Sequence, residues 1–242
     1  MKTKTFRLQT NDASVWRSVV DCNEYCVKEQ FSGTEVVIDI GTHIGSFAYL
    51  VLTRGVGEVW CYEPDAGNFA LATSNLAEFG GRVHLLHQAV CRSDNPPSEL
   101  YFSGYEAWVD RWNTGGGDVL WARKGQMVEP VPFDKVIEAV SQQGMRRISL
   151  LKLDCEGSEY PILLTSSRLD LVDEIVAEYH ELDATKAASL AIDGYQSLGK
   201  KELTAFLETR GFQCRTGMYQ GIYGKLFAFR RDGQPIHCGK GT

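Results

Sequence analysis

Two acidic motifs and one isolated glutamate carry the chemistry this chain can do. The first motif is Val36-Val37-Ile38-Asp39-Ile40-Gly41-Thr42-His43-Ile44-Gly45: an apolar run, an acid, then two glycines. Such glycines let the backbone turn sharply and let a ligand approach the main chain. The second is Lys152-Leu153-Asp154-Cys155-Glu156-Gly157-Ser158-Glu159. Carboxylates crowded there need partners if buried; the candidates are Lys152, a cation or substrate hydroxyls. Between the motifs, Glu63-Pro64 puts a carboxylate at a strand end, where an acid can accept hydrogen bonds from both hydroxyls of a ribose. Glu178-Tyr179-His180 adds an acid and an imidazole whose ordinary pKa suits proton transfer.

The elements that must position these groups follow from pattern. The run 36–40 is continuous and β-branched, as for a strand buried on both faces of a parallel sheet. A helix follows Gly45. A second strand over 57–62 leads to a helix over 66–79, with Asp65 as its cap and Phe69, Ala72, Leu76 and Phe79 on one face. A third strand is predicted over 83–90. The strand–helix alternation predicts βαβ units and a parallel sheet. The rhythm breaks over 91–132, where Asn95-Pro96-Pro97, Gly104, Gly115-Gly116-Gly117 and Gly125 predict an insertion of loops and a hairpin. It resumes with a helix over 134–143, a strand over 148–153, a short helix after Gly157, a strand over 174–179, a helix over 200–210 and a closing hairpin of 212–215 with 225–231. Three regions result: a lead-in over 1–33 with one helix over 15–30, a cofactor-binding domain over 34–231, and a frayed tail over 232–242.

Composition narrows the partners. The chain has 242 residues and a net charge of −6, with no Lys/Arg-rich segment, so a nucleic acid is not the expected partner. There is no apolar leader at the N-terminus and no apolar run near the ~20 residues of a membrane span, so a cytoplasmic protein with no membrane partner is expected. The seven cysteines lack a paired CxxC pattern; Cys22 and Cys26, four apart on a predicted helix, read as packing.

The spacing also narrows the cofactor. A dinucleotide fingerprint is G-x-G-x-x-G, and here Thr42 stands at its second glycine, which weakens an NAD-dependent oxidoreductase reading. Asp39 followed by Gly41 and Gly45 resembles the first motif of class I S-adenosyl-L-methionine (SAM) methyltransferases. With Glu63-Pro64, Val131-Pro132-Phe133-Asp134, Lys152/Asp154/Glu156-Gly157/Glu159 and Glu178/His180, the chain resembles the FkbM family of SAM-dependent methyltransferases over roughly residues 35–180. One departure is Thr42-His43, where that family commonly has Ala-Asn. The resemblance implies an α/β, Rossmann-like class I methyltransferase fold: a mostly parallel seven-stranded sheet, helices on both faces and an antiparallel C-terminal hairpin. It implies methyl transfer from SAM to a hydroxyl of a sugar or natural product. Asp39, Gly41, His43, Gly45, Glu63, Pro64 and Asn68 would contact the cofactor, Ala89 would lie over its adenine, and Asp154 and Glu156 would sit between cofactor and acceptor.

A sugar hydroxyl is a weak nucleophile and needs a base or a metal. His180 is the first candidate base and His43 the second. Asp154, Glu156 and Glu178 could hold Mg²⁺ or bind substrate hydroxyls directly. The aromatics of the insertion, Tyr101, Phe102, Tyr105, Trp108, Trp112 and Trp121, fit an acceptor platform equally with a sheet-edge cover or a homo-oligomer interface. Two other functions stay open: an N-methyltransferase acting on a small molecule, and an inactive SAM- or nucleotide-binding scaffold.

Overall fold

Strand β1 (Val36–Ile40) is buried at every position, as its unbroken β-branched run requires. In this computed structural model, which describes residues 4–104, 112–221 and 223–230, β1 pairs in parallel with β2 (Glu58–Tyr62) and with β7 (Leu150–Leu153). The full sheet has seven strands. β3 (Val83–Leu86) lies outside β2, and β8 (Glu174–His180) lies outside β7. β10 (Tyr223–Arg230) and β9 (Phe212–Gln220) complete the far edge. Among the described residues, β10 is the one strand whose direction opposes the other six of this sheet. The fold is thus α/β and Rossmann-like, with the mostly parallel sheet and antiparallel C-terminal strands expected from the sequence.

Strand alternation divides the core. Val36, Ile38 and Ile40 face one layer with Leu151 and Leu153, covered by α4 (Phe133–Val140), α5 (Glu159–Leu164) and α7 (Lys200–Thr209). Val37, Val59 and Leu150 face the other layer, covered by α2 (Ser46–Thr53). α3 (Ala66–Leu76) follows β2; the Asp65 side chain accepts from the Asn68 N–H and caps it, as predicted. The strand order turns back on itself between β1 and β7, which opens a crevice at the strands' C-terminal ends.

Three expectations are corrected. The lead-in helix is shorter than 15–30: α1 (Asp12–Trp16) passes into one π-helical turn, Arg17–Asp21, and the chain then leaves the helix. Cys26 has a φ of 52°, so Cys22 and Cys26 do not stack on one helix. The stretch 83–90 is two strands rather than one. β4 (Gln88–Cys91) leaves the main sheet and joins β6 (Gln126–Pro132) and β5 (Leu100–Phe102) in a second, three-stranded sheet. Lastly, the sequence reading omits α6 (Ala184–Ser189), although Asp183, which accepts from the N–H groups of Thr185 and Lys186, is an ordinary cap signal. Tyr105, Trp108 and the tail over 232–242 lie outside the described residues.

Candidate active site

The crevice at the β1/β7 reversal holds a cavity of about 580 Å³. Gly41, Thr42 and His43 line it from the loop after β1, and Glu63, Pro64 and Asn68 from the end of β2 and α3. Ala89 lines it from β4, and Asp154, Glu156, Glu178 and His180 from the ends of β7 and β8. The two motifs and the isolated glutamate therefore meet in one place.

The loop after β1 is built on the neighbouring strand ends. The N–H groups of Gly41 and Thr42 both donate to the Tyr62 carbonyl. Gly41 has a φ of 76°, and the main chain of Asp154 fills the space where its side chain would be. Gly45 also has positive φ, but it packs on Leu76 and does not line the cavity. Gly45 thus serves the turn into α2. Asp39 lies behind the same wall. It is fully buried and does not line the cavity; its carboxylate sits 3.2 Å from the Lys152 ammonium. Burial pushes the Asp39 pKa up. Burial works against the charge on Lys152, but Asp39 and Asp154 outweigh it and hold its pKa above the ordinary value. Lys152 also donates to the Gly41 carbonyl at 2.6 Å, tying the two motifs together.

Glu63 stands at the cavity wall with 3% exposure. One carboxylate oxygen accepts the His43 backbone N–H at 2.7 Å. The other accepts the Asp65 N–H at 2.9 Å and the Asn68 amide at 3.3 Å. Burial raises its pKa to about 7 despite these donors. His43 is itself left-handed, with a φ of 54°, and burial lowers its imidazole to about 4. It is a neutral ring whose Nε2 lies 2.8 Å from the Thr114 hydroxyl.

The acid cluster at the other end contains more carboxylates than cations. Burial would raise Asp154, but Lys152, Lys225 and a hydrogen bond from the Tyr25 hydroxyl at 2.6 Å hold it down at about 2. Glu178 pairs with Lys225 at 2.5 Å; burial and Asp154 still push it to about 7. His180 lies 3.3 Å from Glu156, 3.6 Å from Glu159 and 3.7 Å from Glu178. Burial opposes its charge, but the nearby carboxylate of Glu159, followed by Glu156 and Asp154, raises it to about 10. A pKa raised this far favours the imidazolium form, which suits a charged partner for Glu156 at 3.3 Å. Glu156 takes up the surplus charge: burial, with Asp154, Glu159 and Glu178 nearby, raises it to about 8 although His180 opposes this. Its backbone φ of 54° is a strained setting for a non-glycine residue.

The expected Mg²⁺ ligands do not fit a metal. Asp154 is held by Tyr25, Glu178 by Lys225 and Glu156 by His180, and no three such groups converge on an ion among the described residues.

Several lining residues carry no sequence signal. Tyr25 and Glu24 come from the lead-in and Lys225 from β10. They join the cluster only through long-range packing, with the Lys225 ammonium 4.2 Å from the Tyr25 ring centroid. Of the insertion's aromatics, Phe102 lines the cavity and Tyr101 lines a neighbouring one. Trp121 donates to the Ser189 hydroxyl on α6, and Trp112 is exposed.

The sequence model of the Methyltransferase FkbM domain matches residues 39–214. No curated protein matches the chain. An O-methyltransferase family protein from Burkholderia thailandensis is 12% identical with a TM-score of 0.49, covering 93% of this chain and 59% of that one. TrmK of M. capricolum, solved with S-adenosylhomocysteine, is 11% identical with a TM-score of 0.44, covering 88% and 68%. Magnesium protoporphyrin IX methyltransferase of Synechocystis PCC 6803, also solved with S-adenosylhomocysteine, is 11% identical with a TM-score of 0.43, covering 95% and 90%.

Proposed function

Because the chain belongs to the FkbM methyltransferase family, we propose that it transfers the methyl group of SAM to a hydroxyl of a small acceptor, a sugar or other natural product. The observation that carries this reading is a single cavity with a ribose-type carboxylate, Glu63, at one end and a carboxyl with a pKa near neutral, Glu156, at the other.

The residues present fit the cofactor. Glu63 has its orientation fixed by three N–H donors, which leaves one of its four lone-pair sites, on the oxygen that accepts from His43, free for a ribose hydroxyl. Gly41, His43, Pro64, Asn68 and Ala89 supply the remaining wall. When bound, the cofactor supplies an electrophilic methyl on a sulfonium. In-line displacement depends chiefly on alignment of the reacting atoms. Asp154, ionised and held by the Tyr25 phenol, orients the acceptor by accepting from its hydroxyls. Glu156, once ionised, accepts the proton that the acceptor oxygen loses. His180 stays charged and steadies the ionised form of Glu156 at 3.3 Å. No metal is needed in this account, since the carboxylates already have cationic or hydroxyl partners.

An N-methyltransferase reading predicts that the base can be removed without loss, because a neutral amine attacks without first giving up a proton. The test has two stages. Calorimetric titration with SAM, S-adenosylhomocysteine and NAD⁺ should give micromolar binding of the first two only; binding of NAD⁺ alone would sink the proposal. Mass spectrometry of a panel of glycosides incubated with SAM should then find a methyl ether. The Glu156→Gln variant should form it at least tenfold more slowly, whereas full activity on an amine would favour the N-methyl reading.

A further inference from the structure

Thr114 belongs to no motif, yet it is 2% exposed and sits at the crossing of two hydrogen-bond chains. Its hydroxyl lies 2.6 Å from an Asp12 carboxylate oxygen, 2.8 Å from the Asn11 carbonyl oxygen of the side chain and 2.8 Å from His43 Nε2. A hydroxyl has one hydrogen to give, and the carboxylate makes the shortest contact and the strongest acceptor. Asn11 instead receives the Thr114 backbone N–H at 2.9 Å. His43, a neutral ring, is then the donor, giving Nε2–H to the Thr114 oxygen.

The second chain runs from the Thr114 carbonyl. It accepts from the Asn68 amide at 3.2 Å, and the same amide nitrogen reaches Glu63 at 3.3 Å. The Asn68 oxygen accepts from Arg7 at 2.6 Å, which fixes which way that amide points. Arg7 in turn donates to both oxygens of Asp12. Glu63 is therefore gripped from two sides, by Asn68 and by the His43 backbone, and Thr114 is bonded to both residues. Its neighbours Asn113, Gly115 and Gly117 line the cavity beside Glu63.

Resting on the reading of this cavity as the cofactor pocket, we propose that Thr114 is a positioning residue for cofactor binding. It holds 113–117 as a roof over the pocket and sets Glu63 through Asn68 and His43. Arg7, Asn11 and Asp12, all ahead of the matched family region, anchor the roof. The lead-in is then a working part of the cofactor site.

The test uses the full chain and S-adenosylhomocysteine as the probe. Thr114→Val keeps the side-chain shape and removes the hydroxyl. It should bind the probe about tenfold more weakly, the scale of one buried hydrogen bond to a charged group. Probe dissociation in stopped flow should be faster in proportion, and Thr114→Ser should return to within about twofold of wild type. Equal affinity in Thr114→Val would overturn the proposal. Hydrogen exchange on the wild type guards against a folding defect in the variant. The probe should slow exchange of the amides of 113–117, and no change there would also overturn it. Wild-type protein that binds no probe would sink the methyltransferase reading itself, and this proposal with it. Wild-type binding without any effect of Thr114→Val would sink this proposal alone.

Discussion

Gly41 is packed against the main chain of Asp154. A Cβ on Gly41 would lie 1.9 Å from the Asp154 carbonyl oxygen and 2.9 Å from its carbonyl carbon. The glycine of the first motif is thus required by the second motif. The loops after β1 and β7 touch at the point where the strand order reverses, and their contact shapes the cavity floor.

Gly41→Ala should accordingly disturb both stability and binding. The φ of 76° is unfavourable to an L side chain, and the clash is with backbone, which cannot swing away. Loss of more than about 1 kcal/mol is expected in denaturant titration. Affinity for S-adenosylhomocysteine should fall as well, since β1 and β7 must part. An unchanged unfolding midpoint would show that the two loops are not in contact.

The Asp39–Lys152 pair predicts a non-additive pair of variants. Lys152→Met leaves Asp39 buried without its counter-ion, and breaking such a pair costs roughly 3–5 kcal/mol. The double variant Asp39→Asn, Lys152→Met removes both charges and should recover most of that loss. A double variant no more stable than Lys152→Met would mean that the charge pairing is not what matters there.

Glu63 predicts a cofactor defect together with a loss of stability, because a Gln amide nitrogen would face either the His43 or the Asp65 N–H. Glu63→Gln keeps the shape but loses the charge and one acceptor oxygen. Cofactor affinity should weaken by about 1–3 kcal/mol, the scale of a hydrogen bond to a charged group. Calorimetry with S-adenosylhomocysteine checks this, and an unaltered dissociation constant would remove Glu63 from the cofactor site.

How much of this was readable in the sequence depended on how local each signal is. The strand–glycine loop, Glu63 with Asp65 as a cap, and the Lys152–Glu159 cluster are short-range patterns, and each stands where its spacing implied. Gly41 is legible as a turn glycine, while the structure adds that it admits the Asp154 backbone. Tyr25, Thr114, Asp12 and Lys225 were invisible because their partners are 129, 71, 102 and 47 residues away in the chain. The type and place of His180 are legible in the sequence, whereas the three carboxylates around it, Glu156, Glu159 and Glu178, come together only in the fold. The division of 83–90 into two strands was lost for a similar reason, since β4 is defined by pairing with β6, forty-one residues on from Gln88 to Glu129.

The same charge balance predicts how stability follows pH. Glu156 is raised from 4.5 to about 8, so the native protein holds this proton more tightly than the unfolded chain. Its contribution is complete below pH 4.5 and is lost as pH rises through 8. His180 is raised from 6.5 to about 10, so its contribution is complete below pH 6.5 and is lost as pH rises through 10. Both act in one direction, and with Glu63 and Glu178 they outweigh His43, whose depressed pKa adds stability as pH rises to 6.5, so the thermal midpoint should fall across pH 5 to 10. Glu63 and Glu178, each raised to about 7, add to the lower part of that fall. Glu156→Gln cannot titrate and should flatten part of the slope between pH 4.5 and 8. His180→Gln should flatten the part between 6.5 and 10. Melting curves recorded at half-unit intervals on the three proteins decide the matter. A Glu156→Gln slope that matches wild type below pH 8 would mean that Glu156 is already ionised at neutral pH, and the surplus proton of the cluster would have to reside on Glu178 or Glu63 instead.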